Sequence, residues 1–330
     1  MRKLQIGICC LFVMGFLMIA SAASTFAAPA PAGYPTKPIR LIVGFAPGGA
    51  TDFSARVIAA KLSEIIGQQV IVDNRPGANG NIGADIVAKA DPDGYTILLA
   101  TSGLGPSPSL VKLPFDIQRD LTPIIQTVDV TNILSLHPSV PANSVKELIA
   151  LAKSQPGKLN FGSSGIGSTQ HLSGELFNSL AGTKIVHVPY KGGGPSMTDL
   201  LAGRLQLIFA TASTALPHIA SGKIKGIAVA SKKRSPVVPN MPTIDEAGLP
   251  GFDSPDWHGM LAPAKTPRAI IDRLNADVAK ALASPDVKAA LFKGGQTPEP
   301  GTPEQFGAFI DSEIKKWAKL IKEAGIKTEF

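Results

Sequence analysis

Short apolar runs alternate with stretches of helical periodicity along the first part of the chain, and this alternation restricts the fold more than any other feature. Strands are predicted at Ile39–Gly44, Gln69–Asp73 and Tyr95–Ala100. Helices are predicted between them at Thr51–Ile66, where apolar residues recur at helical spacing, and near Ile82–Lys89. Strands separated by helices form βαβ units, so we expect an α/β fold in which a parallel sheet has helices on both faces.

The same alternation starts again after Ile124 and ends in a mostly helical segment from Pro267 onwards. The elements predicted there are strands at Leu159–Gly162, Ile185–Val188, Leu205–Phe209 and Gly226–Ser231, and helices at Ser144–Ser154 and Thr169–Leu180. Two sheets with leftover C-terminal helices indicate an inserted domain: domain 1 would comprise residues 34–128 and 259–330, and domain 2 residues 129–258. We expect the ligand in the cleft between them, beyond the carboxyl ends of the strands.

The start of the chain has the pattern of a cleavable signal peptide, which we assign to residues 1–27. Met1-Arg2-Lys3 is a short cationic region, Leu4–Ala20 is almost wholly apolar, and Thr25-Phe26-Ala27 is the best small-x-small cleavage signal. A single N-terminal membrane anchor is the alternative. Cleavage after residue 27 would remove Cys9 and Cys10 and leave no disulfide, thiol nucleophile or cysteine metal ligand. We therefore expect a soluble exported protein in the periplasm.

Composition argues against nucleic acid as a partner. The chain has 330 residues, is 44% hydrophobic and 17% charged, and would fall from a formal charge of +7 to +5 on loss of the signal. Its one tight basic cluster, Lys232-Lys233-Arg234, has no aromatic residues interleaved with it, and a solvated loop accounts for it. A modest attraction for anions is what this charge supports.

The segment Phe45–Asp52, with the sequence FAPGGATD, follows the first predicted strand and opens the first predicted helix; we call it loop 1. Helix N-termini carry unpaired N–H groups and a partial positive charge, so they suit anions. Glycines let the backbone approach a ligand, while Thr or Asp can cap the helix. The alternative is that loop 1 is only a capped tight turn. Its candidate ligand-binding residues are Phe45, Pro47, Gly48, Gly49, Thr51 and Asp52.

A second segment of the same kind, Ser163–Thr169, follows a strand and opens a helix in the other predicted domain; we call it loop 2. One such loop is weak evidence, but one in each domain fits a clamp on a carboxylate better than a pair of structural turns. Asn79, before a short helix, and Ser102, just past the third strand, are weaker candidates. Tyr190–Gly194 is interpreted as a turn before a helix rather than a phosphate loop. The candidates in loop 2 are Ser163, Ser164, Gly165, Gly167, Ser168 and Thr169.

Most enzyme classes are disfavoured because the chain lacks residues at the spacing that their sequence motifs require. The chain lacks the G-x-x-x-x-G-K-[ST] phosphate loop, the G-x-S-x-G nucleophile elbow, G-x-G-x-x-G and H-E-x-x-H. His171 and Glu175 lie four residues apart and could ligate a metal, but without a third ligand a surface or packing pair is favoured. A Ser-His-Asp set is left open by spacing alone. We expect no catalytic residue, metal or cofactor.

Several stretches resemble the Bug family, the periplasmic solute-binding receptors of tripartite tricarboxylate transporters. The resemblance runs in order through essentially all of the chain after the signal peptide. The stretches that carry it are Tyr34–Arg40, Phe45–Asp52, Asn74–Ala78, Asp91–Thr96, Val188–Gly192, Met241–Gly248, Trp257–Gly259 and Leu261–Pro263.

This resemblance implies a two-lobed, type II periplasmic binding protein fold that closes around its ligand. It also implies that a carboxylate is held between the two loops, largely by backbone groups and bridging water. The binding role is carried over to Gly48, Gly49, Thr51, Asp52, Ser163, Ser164, Gly167 and Ser168. A monomer that serves membrane transporter subunits is expected. An orphan receptor that feeds a membrane signalling system, or an exported α/β hydrolase, are the alternatives.

One departure from the family bears on the ligand. Many relatives have Phe-Asp-Asn after the strand where this chain has Phe209-Ala210-Thr211. An acidic side chain there would suit an amino group, so with Ala210 in its place we predict a dicarboxylate, an aromatic acid or another organic acid without an ammonium group.

Overall fold

The computed structural model describes residues 33–326, which form two β-sheets with helices packed on both faces of each. The strands are β1 (Ile39–Val43), β2 (Val70–Asn74), β3 (Thr96–Thr101), β4 (Leu121–Val130), β5 (Asn132–Leu136), β6 (Asn160–Ser163), β7 (Val186–Pro189), β8 (Leu207–Thr211), β9 (Lys225–Val229), β10 (Asp256–Pro263) and β11 (Gln296–Pro298). The helices are α1 (Ala50–Ile66), α2 (Asn81–Ala88), α3 (Ser107–Leu110), α4 (Ile117–Asp120), α5 (Val145–Ser154), α6 (Thr169–Ala181), α7 (Gly193–Leu201), α8 (Ala212–Ala220), α9 (Arg268–Ala283), α10 (Pro285–Lys293) and α11 (Pro303–Ala324). Two 3-10 turns lie at Ala78–Gly80 and Ser102–Leu104.

The first sheet has the strand order β11-β4-β10-β3-β1-β2. β1 is parallel to both β2 and β3, whereas β10 runs antiparallel to β3 and β4. Loop 1 therefore begins at the carboxyl end of a strand that has parallel neighbours on both sides, where ligands bind in open α/β sheets. We call this sheet with its helices lobe 1.

The second sheet has the order β7-β6-β8-β5-β9 and, with its helices, forms lobe 2. β6 is parallel to β7 and β8, and β5 is antiparallel to β8 and β9. Loop 2 leaves the carboxyl end of β6, so it holds the same place in lobe 2 that loop 1 holds in lobe 1.

The chain passes between the two sheets twice. It crosses from β4, which ends at Val130, to β5, which begins at Asn132, and it returns from β9 to β10, which begins at Asp256. The C-terminal helices then pack on the first sheet. The domain limits that we place at residues 128/129 and 258/259 remain a prediction.

Apolar side chains bury both faces of each sheet. In lobe 1, α1 and α9 cover one face and α2 and α11 the other. In lobe 2, α5 and α6 cover one face and α7 and α8 the other. A further cluster joins the lobes, because Leu172 of α6 packs with Leu110 of α3 and with Trp317, Leu320 and Ile321 of α11.

The expectation of parallel sheets is wrong in part, since both sheets are mixed. The strands β4, β5 and β10 are not among those predicted from the sequence pattern. Pro123 and the polar side chains of β4 break the alternation that indicates a strand, and Pro123 is tolerated beside a register shift in its pairing with β10.

The predicted signal peptide lies outside the described residues. Between residues 33 and 326, no helix combines the length and the apolar character that crossing a membrane requires.

Candidate functional site

The turns that follow β2 and β3 in lobe 1 contact the segment that follows β6 in lobe 2. Asn79 Nδ2 of lobe 1 donates to the carbonyl oxygen of Gly167 in loop 2 at 3.2 Å. Ser102 Oγ and Thr169 Oγ1 are 2.7 Å apart. The sequence therefore predicted four residues that the fold brings into direct contact across the cleft.

Loop 1 presents backbone rather than side chains. Ala46, Pro47, Gly48 and Gly49 are exposed, and Gly49 is the N-cap of α1 without any side-chain cap. The first N–H groups of a helix have no acceptor within it. Gly48 has a φ of +87°, in the left-handed region that favours glycine. This N-terminus thus faces solvent with donors for an anion.

The carboxylate of Asp52 braces loop 1 from behind. It accepts hydrogen bonds from Gly48 N at 2.9 Å, Arg56 Nε at 3.0 Å and Asn74 Nδ2 at 3.0 Å, and Asn74 also donates to the carbonyl oxygen of Phe45. The hydrogen bond from Arg56 lowers the pKa of Asp52, with Gly48 and Asn74 adding to this, while burial acts in the opposite direction. Because the carboxylate is committed to these donors, we assign Asp52 to the support of the loop.

Thr51 is likewise turned inwards. Its Oγ1 lies 3.4 Å from Nε2 of His258 in β10, and Ser54 Oγ lies 2.8 Å from Nδ1 of the same ring. Ser54 Oγ donates to the carbonyl oxygen of Thr51, which leaves its lone pairs for the His258 Nδ1–H. Burial lowers the pKa of His258 to about 3, so the ring stays neutral and fixes α1 on β10. The side chain of Phe45 also packs within lobe 1, because its ring contacts the hydrophobic core and lies against Gly80.

Loop 2 is held by its own hydroxyl groups. Ser163, which is fully buried, donates to the carbonyl oxygen of Gly165 at 3.1 Å and contacts His187 Nε2 at 2.7 Å. Ser168 is the N-cap of α6 and accepts from His171 N at 3.3 Å. These serines set the loop's shape, whereas Ser164 and Gly165 are partly exposed and Ser164 Oγ has no hydrogen-bond partner among the described residues.

Two stacked histidines lie beneath loop 2. The rings of His171 and His187 are 3.9 Å apart and nearly parallel, and His171 Nδ1 accepts from Gly167 N at 3.1 Å. Burial lowers the pKa of His171 to about 4 and, with the charge of the other ring, that of His187 to about 3. His171 Nε2 is 3.8 Å from Glu175, and no group of three or more His, Cys, Asp or Glu residues between 33 and 326 is placed to hold a metal ion. The pair is therefore neutral packing under the loop.

The segment Tyr190–Gly192, which sequence reasoning gave as a turn, lies against loop 2. Tyr190 N donates to the carbonyl oxygen of Ser163 and Gly192 N to that of Ser164. Gly192 is also the N-cap of α7, again without a side-chain cap. A glycine run before a helix was the available signal, but sequence alone could not show that this segment adjoins loop 2.

A buried chain of polar groups ties the interlobe contact to the crossings. Ser102 Oγ donates to Asp256 Oδ1 at 2.6 Å, and Asn132 Nδ2 donates to Asp256 Oδ2 at 3.0 Å. Burial raises the pKa of Asp256. Since Ser102 donates to Asp256, it accepts from Thr169, so the chain of hydrogen bonds runs from lobe 2 into the strands that connect the lobes.

Ala210 does not reach the surface of the cleft. It is 2% exposed and packs with Ile133, Met197 and Ala215 in the layer between the second sheet and helices α7 and α8. Its methyl group could touch a ligand only after that layer moved. The position of Ala210 therefore gives no support to the predicted preference for a ligand without an ammonium group.

The sequence profile of the tripartite tricarboxylate transporter family receptor matches residues 54–326. BugT of Bordetella pertussis is 39% identical over 322 residues, covering 96% of this chain and 98% of BugT. An R. palustris protein solved with adipate superposes with a TM-score of 0.80 at 41% identity, covering 90% of this chain and all of that one. MatC from Rhodopseudomonas palustris, solved with bound malate, has a TM-score of 0.76 at 32% identity, covering 87% of this chain and all of that one. The predicted resemblance is confirmed: this chain belongs to the tripartite tricarboxylate transporter receptor family, whose members are solute-binding receptors and not enzymes.

Proposed function

We propose that this protein is a periplasmic receptor that captures a small carboxylate between loop 1 and loop 2 and delivers it to the membrane subunits of a tripartite tricarboxylate transporter. One observation carries the proposal: each lobe presents a glycine-containing loop whose polar side chains are mostly bonded within the protein while backbone groups stay accessible. Gly48 and Gly49 are exposed in loop 1, and Ser164 and Gly165 are partly exposed in loop 2. The N–H groups of Gly49 and Ser164, with the Ser164 hydroxyl, suit a carboxylate. The N–H groups of Gly48 and Gly165 instead donate to Asp52 and Ser163 and hold the loops in shape.

The charges at the loops favour an acid that has no amino group. An ammonium group needs a carboxylate partner, and Asp52, the acidic residue of loop 1, is already bonded to Arg56. Loop 2 contains no acidic residue. Adipate and malate, which the two superposed proteins bind, are both carboxylates of this kind. The preference therefore depends on the neutralised Asp52 rather than on Ala210.

Lobe closure is the proposed mechanism of capture. A ligand that contacts both loops binds the closed arrangement better than an open one, and it shifts the population by that difference in affinity. The hydrogen bonds Asn79–Gly167 and Ser102–Thr169 also join the lobes. They supply part of the closing energy, so the ligand has less to provide.

Transport and signalling differ only in the partner. The cationic and apolar pattern of residues 1–27 supports export to the periplasm, and the family supports a transporter as the recipient. A receptor that passes the signal to a membrane kinase would have the same loops. Co-purification of this protein with transporter membrane subunits, in the presence of its ligand, separates these two functions.

The hydrolase alternative is disfavoured by burial. Two serine–histidine pairs exist, Ser163–His187 at 2.7 Å and Ser54–His258 at 2.8 Å. Both serines have no exposed surface, so neither hydroxyl is accessible to a substrate. Each pair instead holds a backbone segment in place.

The test is a calorimetric titration of the mature chain with adipate, malate, benzoate and glutamate, repeated with Gly49→Ala. A Cβ at Gly49 would meet only the Ala46 carbonyl oxygen, 3.8 Å away, so the methyl group occupies the space in which the ligand is expected. We expect an amino-free acid to bind, and Gly49→Ala to weaken it at least tenfold. Gly307→Ala in α11, whose Cβ would lie 3.4 Å from Pro123, is the matched control. Equal affinity in the Gly49 variant and the wild type would contradict the proposal.

A further inference from the structure

A cavity lies beside the interlobe contact between Asn79 and Gly167. It has a volume of about 420 Å³, within the range of small-molecule sites, and α2, residues 107–114 and loop 2 form its walls. Neither Gly48 nor Gly49 lines it. Because Asn79 comes from lobe 1 and Ile166 and Gly167 from lobe 2, both lobes build this cavity.

The walls are mainly apolar. Ile82 is 48% exposed, one of the most exposed large apolar side chains between residues 33 and 326. An isolated apolar side chain at the surface needs no explanation, but a concave group of them from both lobes marks a site for an apolar molecule. The apolar residues of the wall are Ile82, Ile86, Leu110, Val111, Leu113 and Ile166.

The charge at this cavity is positive. Asp85 is paired with Lys89, whose Nζ lies 2.7 Å from Asp85 Oδ1. Lys112, which is exposed, forms no salt bridge or hydrogen bond with the part of the chain that the structure describes. One unpaired ammonium group beside an apolar space complements an anion with an apolar body.

The backbone of the wall is strained where the lobes touch. Ala78 and Asn79 both have positive φ, +47° and +54°, which non-glycine residues rarely adopt. Such strain clusters at ligand clamps and switch regions. The Asn79 amide that bonds Gly167 belongs to this strained turn, so a molecule in the cavity contacts the element that joins the lobes.

We infer that this cavity is a second ligand site, which binds an amphipathic carboxylate with its apolar body against Ile82 and Ile166 and its carboxylate at Lys112. Since the walls come from both lobes, occupancy of this site is linked to the arrangement of the lobes. The linkage is reciprocal: an acid bound in the cavity changes the affinity for the cleft ligand by some factor, and the cleft ligand changes the affinity for the acid in the cavity by the same factor.

Octanoate is the probe, titrated by calorimetry into the mature chain with and without saturating adipate. We expect octanoate to bind in the presence of adipate, Ile82→Asp to weaken it at least tenfold, and Lys112→Ala to weaken it about threefold to tenfold. Ile71→Asp, an exposed isoleucine on β2, and Lys158→Ala, an exposed lysine of lobe 2, are the matched controls and leave octanoate binding unchanged.

Three results would overturn the inference: no octanoate binding, binding that Ile82→Asp leaves intact, or displacement of octanoate by adipate in strict competition. The last result would place octanoate in the cleft. The inference does not depend on the proposed cleft function, because the chain can bind octanoate at Ile82 whether or not any acid of the cleft panel binds at Gly49.

Discussion

Asp52→Asn tests whether loop 1 owes its shape to a buried carboxylate. An Asn side chain oriented with its oxygen towards Gly48 N and Arg56 Nε keeps those two acceptor contacts, but its NH2 group then opposes the NH2 group of Asn74. One hydrogen bond and the negative charge are lost. Removing an acceptor from a buried donor costs about 1–3 kcal/mol, so we expect the free energy of unfolding at pH 7 to fall by about 1–2 kcal/mol.

Ligand affinity is expected to fall as well, because Asp52 holds Gly48 beside Gly49, where we propose that the carboxylate binds. A loss of about tenfold in the dissociation constant corresponds to about 1.4 kcal/mol. The assay combines urea unfolding with calorimetric titration of the best acid found in the panel. Asp272→Asn is the matched control: Asp272 pairs with Arg268 on the surface of α9, and its loss should change stability by less than about 0.5 kcal/mol.

The pH dependence gives this prediction a second readout. The pKa of Asp52 is lowered in the folded protein, so its contribution is fully present above the unfolded value of about 3.9 and is lost as pH falls through the lower folded value. The stability gap between wild type and Asp52→Asn should therefore be constant above about pH 5 and shrink below about pH 4. Unchanged stability and affinity in Asp52→Asn, or a gap that does not shrink in acid, would show that the Asp52 carboxylate does not hold loop 1 in its shape.

Three further predictions concern the interlobe contact, the packing of α6 and the buried His258 of β10. Ser102→Ala should lower the free energy of unfolding by about 1–3 kcal/mol, and a double-mutant cycle with Thr169→Val should show coupling above about 0.5 kcal/mol; additive effects would contradict the contact. Gly174→Ala should cost about 1–3 kcal/mol because its Cβ would lie 2.1 Å from the ring of Phe161, and an unchanged melting temperature would argue against that packing. His258, with its pKa lowered to about 3, favours the folded state fully above about pH 6.5 and loses up to about 1.4 kcal/mol per pH unit below it. His258→Gln should therefore show a shallower fall in stability between about pH 6 and pH 4, and identical pH profiles would contradict it.

The positions of both loops were predictable because each follows a short apolar strand and opens a helix. Local sequence contains that information: glycines and small hydroxyl residues end the apolar run, and helical periodicity begins at once. The strands β1 and β6 and the helices α1 and α6 accordingly lie within one residue of their predicted bounds.

The direction of each side chain was not predictable in the same way. Thr51, Asp52 and Ser163 have the residue types of a carboxylate clamp, yet their side chains bond His258, Arg56 and His187 instead. Those partners lie on other elements or one helical turn away, and only the fold shows that they are near. The spacing of Asp52 and Arg56, four residues apart on a helix, was the one local sign of the brace.

The antiparallel strands were missed for a related reason. β4 and β10 run through the middle of the first sheet with neighbours on both sides, so packing around them decides their structure more than their own pattern does. The polar residues Asn132 and Asp256 at their junctions with lobe 2 then form the buried network below Ser102.

Whether the two loops hold one carboxylate is tested most directly by titrating the 15N-labelled chain, without residues 1–27, with each amino-free acid of the panel and following the backbone amides of both loops. We predict that at least one acid shifts the signals of Gly49 in loop 1 and Gly165 in loop 2 together, with one dissociation constant, because one ligand contacts both lobes. If a bound acid shifted the amides of neither loop, or if none of the acids bound, the claim that these two loops hold a carboxylate would be contradicted.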